Sequence, residues 1–124
     1  MKQGKTMGSG QGKAMGSIGA PAFYVLYALA DRQRHGYGII LEVEGRTGGK
    51  VRIGTSTLYT TIQRLLKDEL VEECPSPHPQ QDDERRRYYR LTESGRQVLR
   101  QEAARLEGLM RLMREKRILP LPAR

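Results

Sequence analysis

At 124 residues the chain is long enough for one domain with a modest core and too short for two independent ones. Its 22 Lys+Arg outnumber 14 Asp+Glu, a formal charge of +8 that suits an anionic partner such as nucleic acid or a membrane surface and says nothing about fold. No apolar run nears the roughly 20 residues of a membrane span and no signal-peptide core is visible, so a cytoplasmic protein without a membrane partner is expected. Cys74 is the single cysteine, which excludes an internal disulfide and a Cys-rich zinc site; with His35 and His78 far apart, no metal or cofactor is expected.

Residues 1–19, rich in Gly, Lys and Ser without apolar period, read as a disordered tail whose Lys2, Lys5 and Lys13 could touch phosphates loosely. From Pro21 the pattern changes. PAFYVLYALADR has a proline suited to a first helical turn and then Phe23, Tyr24, Leu26, Tyr27, Leu29 and Ala30 in a dense apolar run. A helix with so little polar surface must be covered on more than one side, as the centre of a fold or within a subunit interface. HGYGIILEVEGRTGGK reads as a short loop and a second helix, with Tyr37, Ile40 and Val43 at helical spacing and Gly48-Gly49 as the stop. His35 has no nucleophile or carboxylate at a suggestive spacing, and is read as the residue that starts this helix. Val51 to Ile53 is long enough for a single-rung strand only.

Residues 54 to 70, GTSTLYTTIQRLLKDEL, form one amphipathic helix by pattern, with Gly54 or Thr55 as N-cap. Leu58, Ile62, Leu65 and Leu66 stack on one side. The other carries Ser56, Thr57, Thr60, Gln63, Arg64 and Lys67, with Thr55 at its start as a further DNA-contact candidate. Short hydroxyls followed by an amide and a guanidinium are chemistry that can donate to phosphates and reach base edges in a major groove, although a solvated face has the same composition. Two helices, a tight link and an amphipathic helix make a helix-turn-helix order.

VEEC, 71 to 74, begins a strand; PSPHPQQDDE cannot be regular structure; RRRYYRL, 85 to 91, returns as a strand. Period two places Arg85, Arg87, Tyr89 and Leu91 on one face, and Arg86, Tyr88 and Arg90 on the other. A basic hairpin after a helix-turn-helix is a wing, which lies along a phosphate backbone or reaches into the minor groove. A charged edge strand that resists aggregation is the competing reading, and four arginines within six positions exceed what edge protection needs. Thr92 and Glu93 then open a last helix running to Arg117. Leu99, Ala103, Leu106, Met110 and Met113 form a heptad-like seam along it, expected to pair with a second copy together with Phe23, Tyr24 and Tyr27 of the first helix. The alternative folds this helix back onto its own core.

The fold class expected is therefore mainly α with a small β-hairpin: a tail to residue 19, a winged helix-turn-helix domain over 20–92, a dimerisation helix over 93–117 and a flexible end from 118. HGY (35–37), RTGG (46–49), TLY (57–59) with QRLLKDELVEE after it, and RRRYYRLTESGR (85–96), in this order and spacing, resemble the PadR-like transcriptional regulators over residues 21–117. The resemblance implies a dimeric regulator, mostly a repressor, that binds a pseudo-palindromic operator. It places Thr57 and Tyr59 at or near the DNA backbone and Arg85 to Tyr89 at phosphates and the minor groove. The single C-terminal helix is similar to that of the short subfamily, some of whose members sense aromatic compounds at the dimer interface, for which Tyr24, Tyr27, Met110 and Met113 are the candidates here. The chain departs from many relatives in reading Thr55-Ser56 and Thr60 where they have prolines around TLY, and in lacking tryptophan.

A DNA-binding regulator is thus the leading reading, and a winged-helix module whose basic face meets an acidic protein is the rival. An enzyme has no support: the chain shows no catalytic Cys/His pair, paired carboxylates or Gly-rich phosphate loop.

Overall fold

The computed structural model describes residues 18–82 and 85–123. Most of the expected tail, including Lys2, Lys5 and Lys13, lies outside these residues. Its last part does not behave as a tail, since Ile18 packs on the core and Gly19 is the N-cap of the first helix.

Helix α1 (Ala20–Ala28) carries Pro21 in its first turn, where a missing N–H costs nothing. It ends four residues before Arg32, because the Ala28 carbonyl accepts from Arg34 Nε at 2.7 Å and the chain turns there. Arg34 also meets Asp31 at 3.2 Å and Glu42 at 3.4 Å, which ties the turn to the next helix. Val25, Leu26, Ala28 and Leu29 are buried, and α1 packs against all three other helices. The apolar run is thus the centre of the fold.

A two-residue strand β1 (Arg34–His35) leads into α2 (Gly36–Arg46). His35 caps α2, its Nδ1 accepting from the Gly38 N–H at 3.1 Å. The buried face of α2 is Gly36, Ile39 and Val43; Tyr37, expected inside, points outward with 61% exposure. Helix α2 stops on Thr47, with Gly48 and Gly49 at φ of 63° and 80°, a left-handed pair that side chains would strain. Thr47 Oγ1 accepts the Val51 N–H at 3.0 Å. That bond is why residues 51–53 are an irregular link and not the expected strand.

Helix α3 (Thr55–Lys67) starts from Gly54 and buries Leu58, Ile62 and Leu65. It ends in a Schellman turn: the Glu69 N–H donates to Leu66 O at 3.0 Å and the Leu70 N–H to Leu65 O at 2.9 Å, with Glu69 at φ 61°. Strands β2 (Val71–Cys74) and β3 (Tyr88–Leu91) pair antiparallel, and β1 adds to the other edge of β3, giving the order β1-β3-β2. His35 lies opposite Tyr88, and Glu72 and Glu73 lie opposite Arg90 and Tyr89. The alternation of β3 holds, but both tyrosines are buried: Tyr89 enters the main core, whereas Tyr88 is covered from the far side by His35 and the wing loop.

Helix α4 (Glu93–Glu115) is capped by Thr92, whose Oγ1 accepts from the Gly95 N–H at 3.0 Å. Gly95 lies directly on the Leu70 carbonyl, closer than any Cβ allows. The first half of α4 folds back: Val98 and Leu99 pack on the core and Arg96 donates to the Ala30 carbonyl at 3.2 Å. The second half stands clear, with Leu109, Met110, Leu112 and Met113 exposed. After it, Arg114 Nε donates to the Pro120 carbonyl at 3.1 Å, which draws the terminal segment back beside the helix end. No helix among the described residues is long and apolar enough to cross a membrane.

Candidate nucleic-acid interface

Helix α3 owes its outward face to the fixed angle between successive residues: burying Leu58, Ile62 and Leu65 against α1 forces the intervening positions out. All eight candidates, Thr55, Ser56, Thr57, Tyr59, Thr60, Gln63, Arg64 and Lys67, are exposed. None of their side chains makes a hydrogen bond or ion pair to another described residue. Tyr59 is held differently from the rest. Its ring end rests on Gly36, where any Cβ would overlap the hydroxyl, so the start of α2 and the outer face of α3 are locked at contact distance. Gly36 is a site residue that sequence reasoning missed; HGY beside a downstream Tyr carries no visible pairing signal.

The wing arginines are exposed but engaged. Arg87 meets Glu73 at 3.1 Å, Arg90 meets Glu72 at 2.7 Å and Arg86 meets Asp82 at 3.5 Å. The Arg90–Glu72 pair was legible in principle, since an antiparallel hairpin sets these two charges directly across from each other, whereas Arg87 reaches Glu73 diagonally, Glu73 itself lying opposite Tyr89. Arg85 is exposed in the turn before β3. Tyr88, expected on the DNA-facing side, is corrected by its surroundings: 6% exposed, it donates its hydroxyl to Asp82 Oδ2 at 2.8 Å and meets the His35 ring edge-on at 5.2 Å. Burial pushes the Tyr88 phenol up, helped by the Asp82 bond. Burial likewise lowers His35, and the Arg86 charge adds to it, against a smaller opposing effect of Asp82. The imidazole is therefore held neutral, the form that can accept the Gly38 N–H. Hydrogen bonds from Ser76 and Tyr88 hold the Asp82 carboxyl below its ordinary range.

The third face is the apolar one. Ala103, Met110 and Met113 of the expected seam are exposed, and Leu106 is half-buried. Leu99 is half-buried and packs on the core, so less of it is left for a partner. On α1, Tyr27 is exposed, Phe23 half-buried and Tyr24 half-buried against the core. For the expected aromatic effector, Tyr24, Tyr27, Met110 and Met113 line neither of two clefts of about 530 and 340 Å³, which both lie in the wing loop.

A helix pair braced at Tyr59 and Gly36, an outward polar helix and a basic hairpin closing a three-stranded sheet define a winged helix-turn-helix protein. Residues 25–101 match the transcriptional regulator PadR-like family, and the chain belongs to it. It is 35% identical over 92 residues to the transcriptional regulator Rv3488 of Mycobacterium tuberculosis, spanning 74% of this chain and 80% of that one. Among solved structures it resembles a PadR family transcription regulator from Clostridium difficile, with a TM-score of 0.65 and 22% identity over 78% of this chain and 97% of the other. Bacillus subtilis PadR, solved in complex with operator DNA, aligns with a TM-score of 0.57 and 21% identity over 66% of this chain and 45% of that one.

Proposed function

We propose that the protein represses transcription by binding a pseudo-palindromic operator as a two-fold dimer. The carrying observation is the outer face of α3: eight polar side chains in thirteen residues, all exposed and none paired within the described chain, on a helix fixed by its buried face. Their hydrogen-bonding capacity is unspent. An amide at Gln63 and a guanidinium at Arg64 are the groups that read adenine and guanine edges bidentately, while Thr55, Ser56, Thr57, Thr60 and Lys67 serve phosphates and nearer base edges. The wing arginines lie along the flanking backbone. The operator complex of Bacillus subtilis PadR supports assigning the same ligand class to this fold.

Dimerisation through the distal half of α4, with Tyr27 and Phe23 at its flank, supplies the symmetry. Leu109, Met110, Leu112 and Met113 are all at least 36% exposed within one helix, a cluster of large apolar side chains that a second copy would cover. Two recognition helices then sit about one DNA turn, roughly 34 Å, or a multiple of it, apart, and read an inverted repeat. Selecting bound fragments from random duplex DNA tests this: an enriched inverted repeat with a steep salt dependence is expected. Absence of enrichment, or capture of acidic proteins with no preference for duplex DNA, would refute the assignment.

A further inference from the structure

Beyond the basic residues themselves, the wing contains a built polar centre at Asp82. Its side chain is only 12% exposed. Oδ2 accepts the Tyr88 hydroxyl at 2.8 Å and also the Ser76 hydroxyl; Oδ1 faces Arg86 Nη1 at 3.5 Å. Ser76 Oγ in turn accepts the His78 N–H at 2.9 Å, and the His78 carbonyl accepts the N–H groups of Gln81 and Asp82 at 3.0 and 3.1 Å. One carboxylate thus closes the turn over 76–82, fastens it to strand β3 and holds a guanidinium.

The chain of contacts continues inward. Tyr88 lies against His35 across the β1–β3 pair, and His35 caps α2. Arg86 is therefore linked, through Asp82, Tyr88 and His35, to the start of the helix that Gly36 brings against Tyr59 of α3. A guanidinium has five N–H donors in a planar fork. Asp82 faces Nη1, the Tyr88 hydroxyl lies against the same guanidinium, and Arg86 remains 45% exposed, so part of the fork is accessible to a phosphate.

We propose that Asp82 is a positioning residue for DNA binding, which orders the wing and presents Arg86 to a phosphate at a fixed distance from the recognition helix; the inference rests on the wing meeting DNA, as assigned above. Without Asp82 a long polar loop would have to be ordered by the DNA itself, at a cost in affinity.

The sign of one substitution decides it. Asp82→Asn keeps an oxygen for Tyr88 and Ser76 but turns an amide toward Arg86 and removes a negative charge from the DNA-facing wing. General electrostatics then favours tighter binding. Positioning requires weaker binding, by roughly three- to tenfold, and a salt-dependence slope reduced by about one, as when Arg86 itself is lost. In an Arg86→Ala background the same substitution should cost clearly less than in the wild type, because only the ordering of the loop is then left to lose. Tyr88→Phe, which keeps the buried ring and deletes only the hydroxyl that joins Asp82 and Arg86, should weaken binding similarly while the melting curve stays close to wild type. Unchanged or tighter binding by Asp82→Asn while Arg86→Ala binds weakly, or an equal loss in both backgrounds, overturns the positioning role and leaves the wing assignment standing. Unchanged binding by the Arg85→Ala, Arg86→Ala, Arg87→Ala triple variant overturns the wing assignment, and this inference with it.

Discussion

Two glycines in helix α4 should respond to the same substitution with opposite signs. Gly95 lies against the Leu70 carbonyl, so the methyl of Gly95→Ala falls on a backbone atom that cannot rotate away. Helix α4 must lift from the α3–β2 corner, which strains or breaks the Thr92 N–H bond to Leu70 O at 3.1 Å and the Thr92 hydroxyl bond to Glu69 O at 2.7 Å. Overpacking of this kind costs about 1–3 kcal/mol. A lost hydrogen bond adds about 1 kcal/mol. Against these stands the helix-propensity gain of Gly to Ala, about 1 kcal/mol. The balance is a loss of about 1–3 kcal/mol, or a melting temperature lower by roughly 4–12 °C for a domain of this size. Gly108, two thirds of the way along the same helix, has nothing within 4 Å of where its methyl would sit. Gly108→Ala should therefore realise most of the propensity gain, about 0.5–1 kcal/mol of stabilisation. Thermal and urea melts followed by circular dichroism at one fixed protein concentration would measure both. A Gly95→Ala variant as stable as wild type, or a destabilised Gly108→Ala, would refute the packing argument at that residue.

The seam of α4 is best probed at Met110, which is 43% exposed within one chain and so tolerates Asp there without loss to the monomer fold. Met110→Asp should sediment as a folded monomer with strongly weakened operator binding, because two unpartnered carboxylates would otherwise be buried at the dimer axis; a persistent dimer would exclude this seam. Gln63→Ala should lose about 1–3 kcal/mol on the preferred site and little on unrelated duplexes, measured by competition binding. An equal loss on every sequence would make Gln63 a backbone contact. Glu69, held at φ 61°, should accept glycine with a gain of about 0.5 kcal/mol in urea unfolding, since the relief of the left-handed strain slightly exceeds the added freedom of the unfolded chain.

The helices were legible because their apolar residues recur with the period that burial imposes, and α3 shows this most plainly: every residue assigned inside or outside by spacing lies there, with Leu66 at the boundary. Periodicity failed where the partner of a side chain comes from a distant part of the chain. Tyr37 and Ile39 can each contribute to an apolar helix face, and the position of α2 against the core selects Ile39. The strand at Arg34–His35 was hidden for the same reason: two residues next to a helix carry no period, and their pairing with Tyr89 and Tyr88 is a long-range event. Residues 51–53 had the β-branched composition of a strand, yet the Thr47 side chain had taken the Val51 donor. In the wing the basic cluster could be read directly. That Tyr88 is buried, and that Asp82 organises the loop, depended on how a proline-rich segment folds back, which no local pattern encodes.

The pairing of Arg86, Arg87 and Arg90 with Asp82, Glu73 and Glu72 gives the hairpin an intramolecular competitor for every anion it meets. A sparse or flexible polyanion offers one phosphate at a time and must displace a carboxylate tethered at high effective concentration. A rigid duplex offers several phosphates together, already spaced, and can replace the tethered carboxylates as a set. The acidic partners therefore act as a threshold against anions that engage these arginines one at a time.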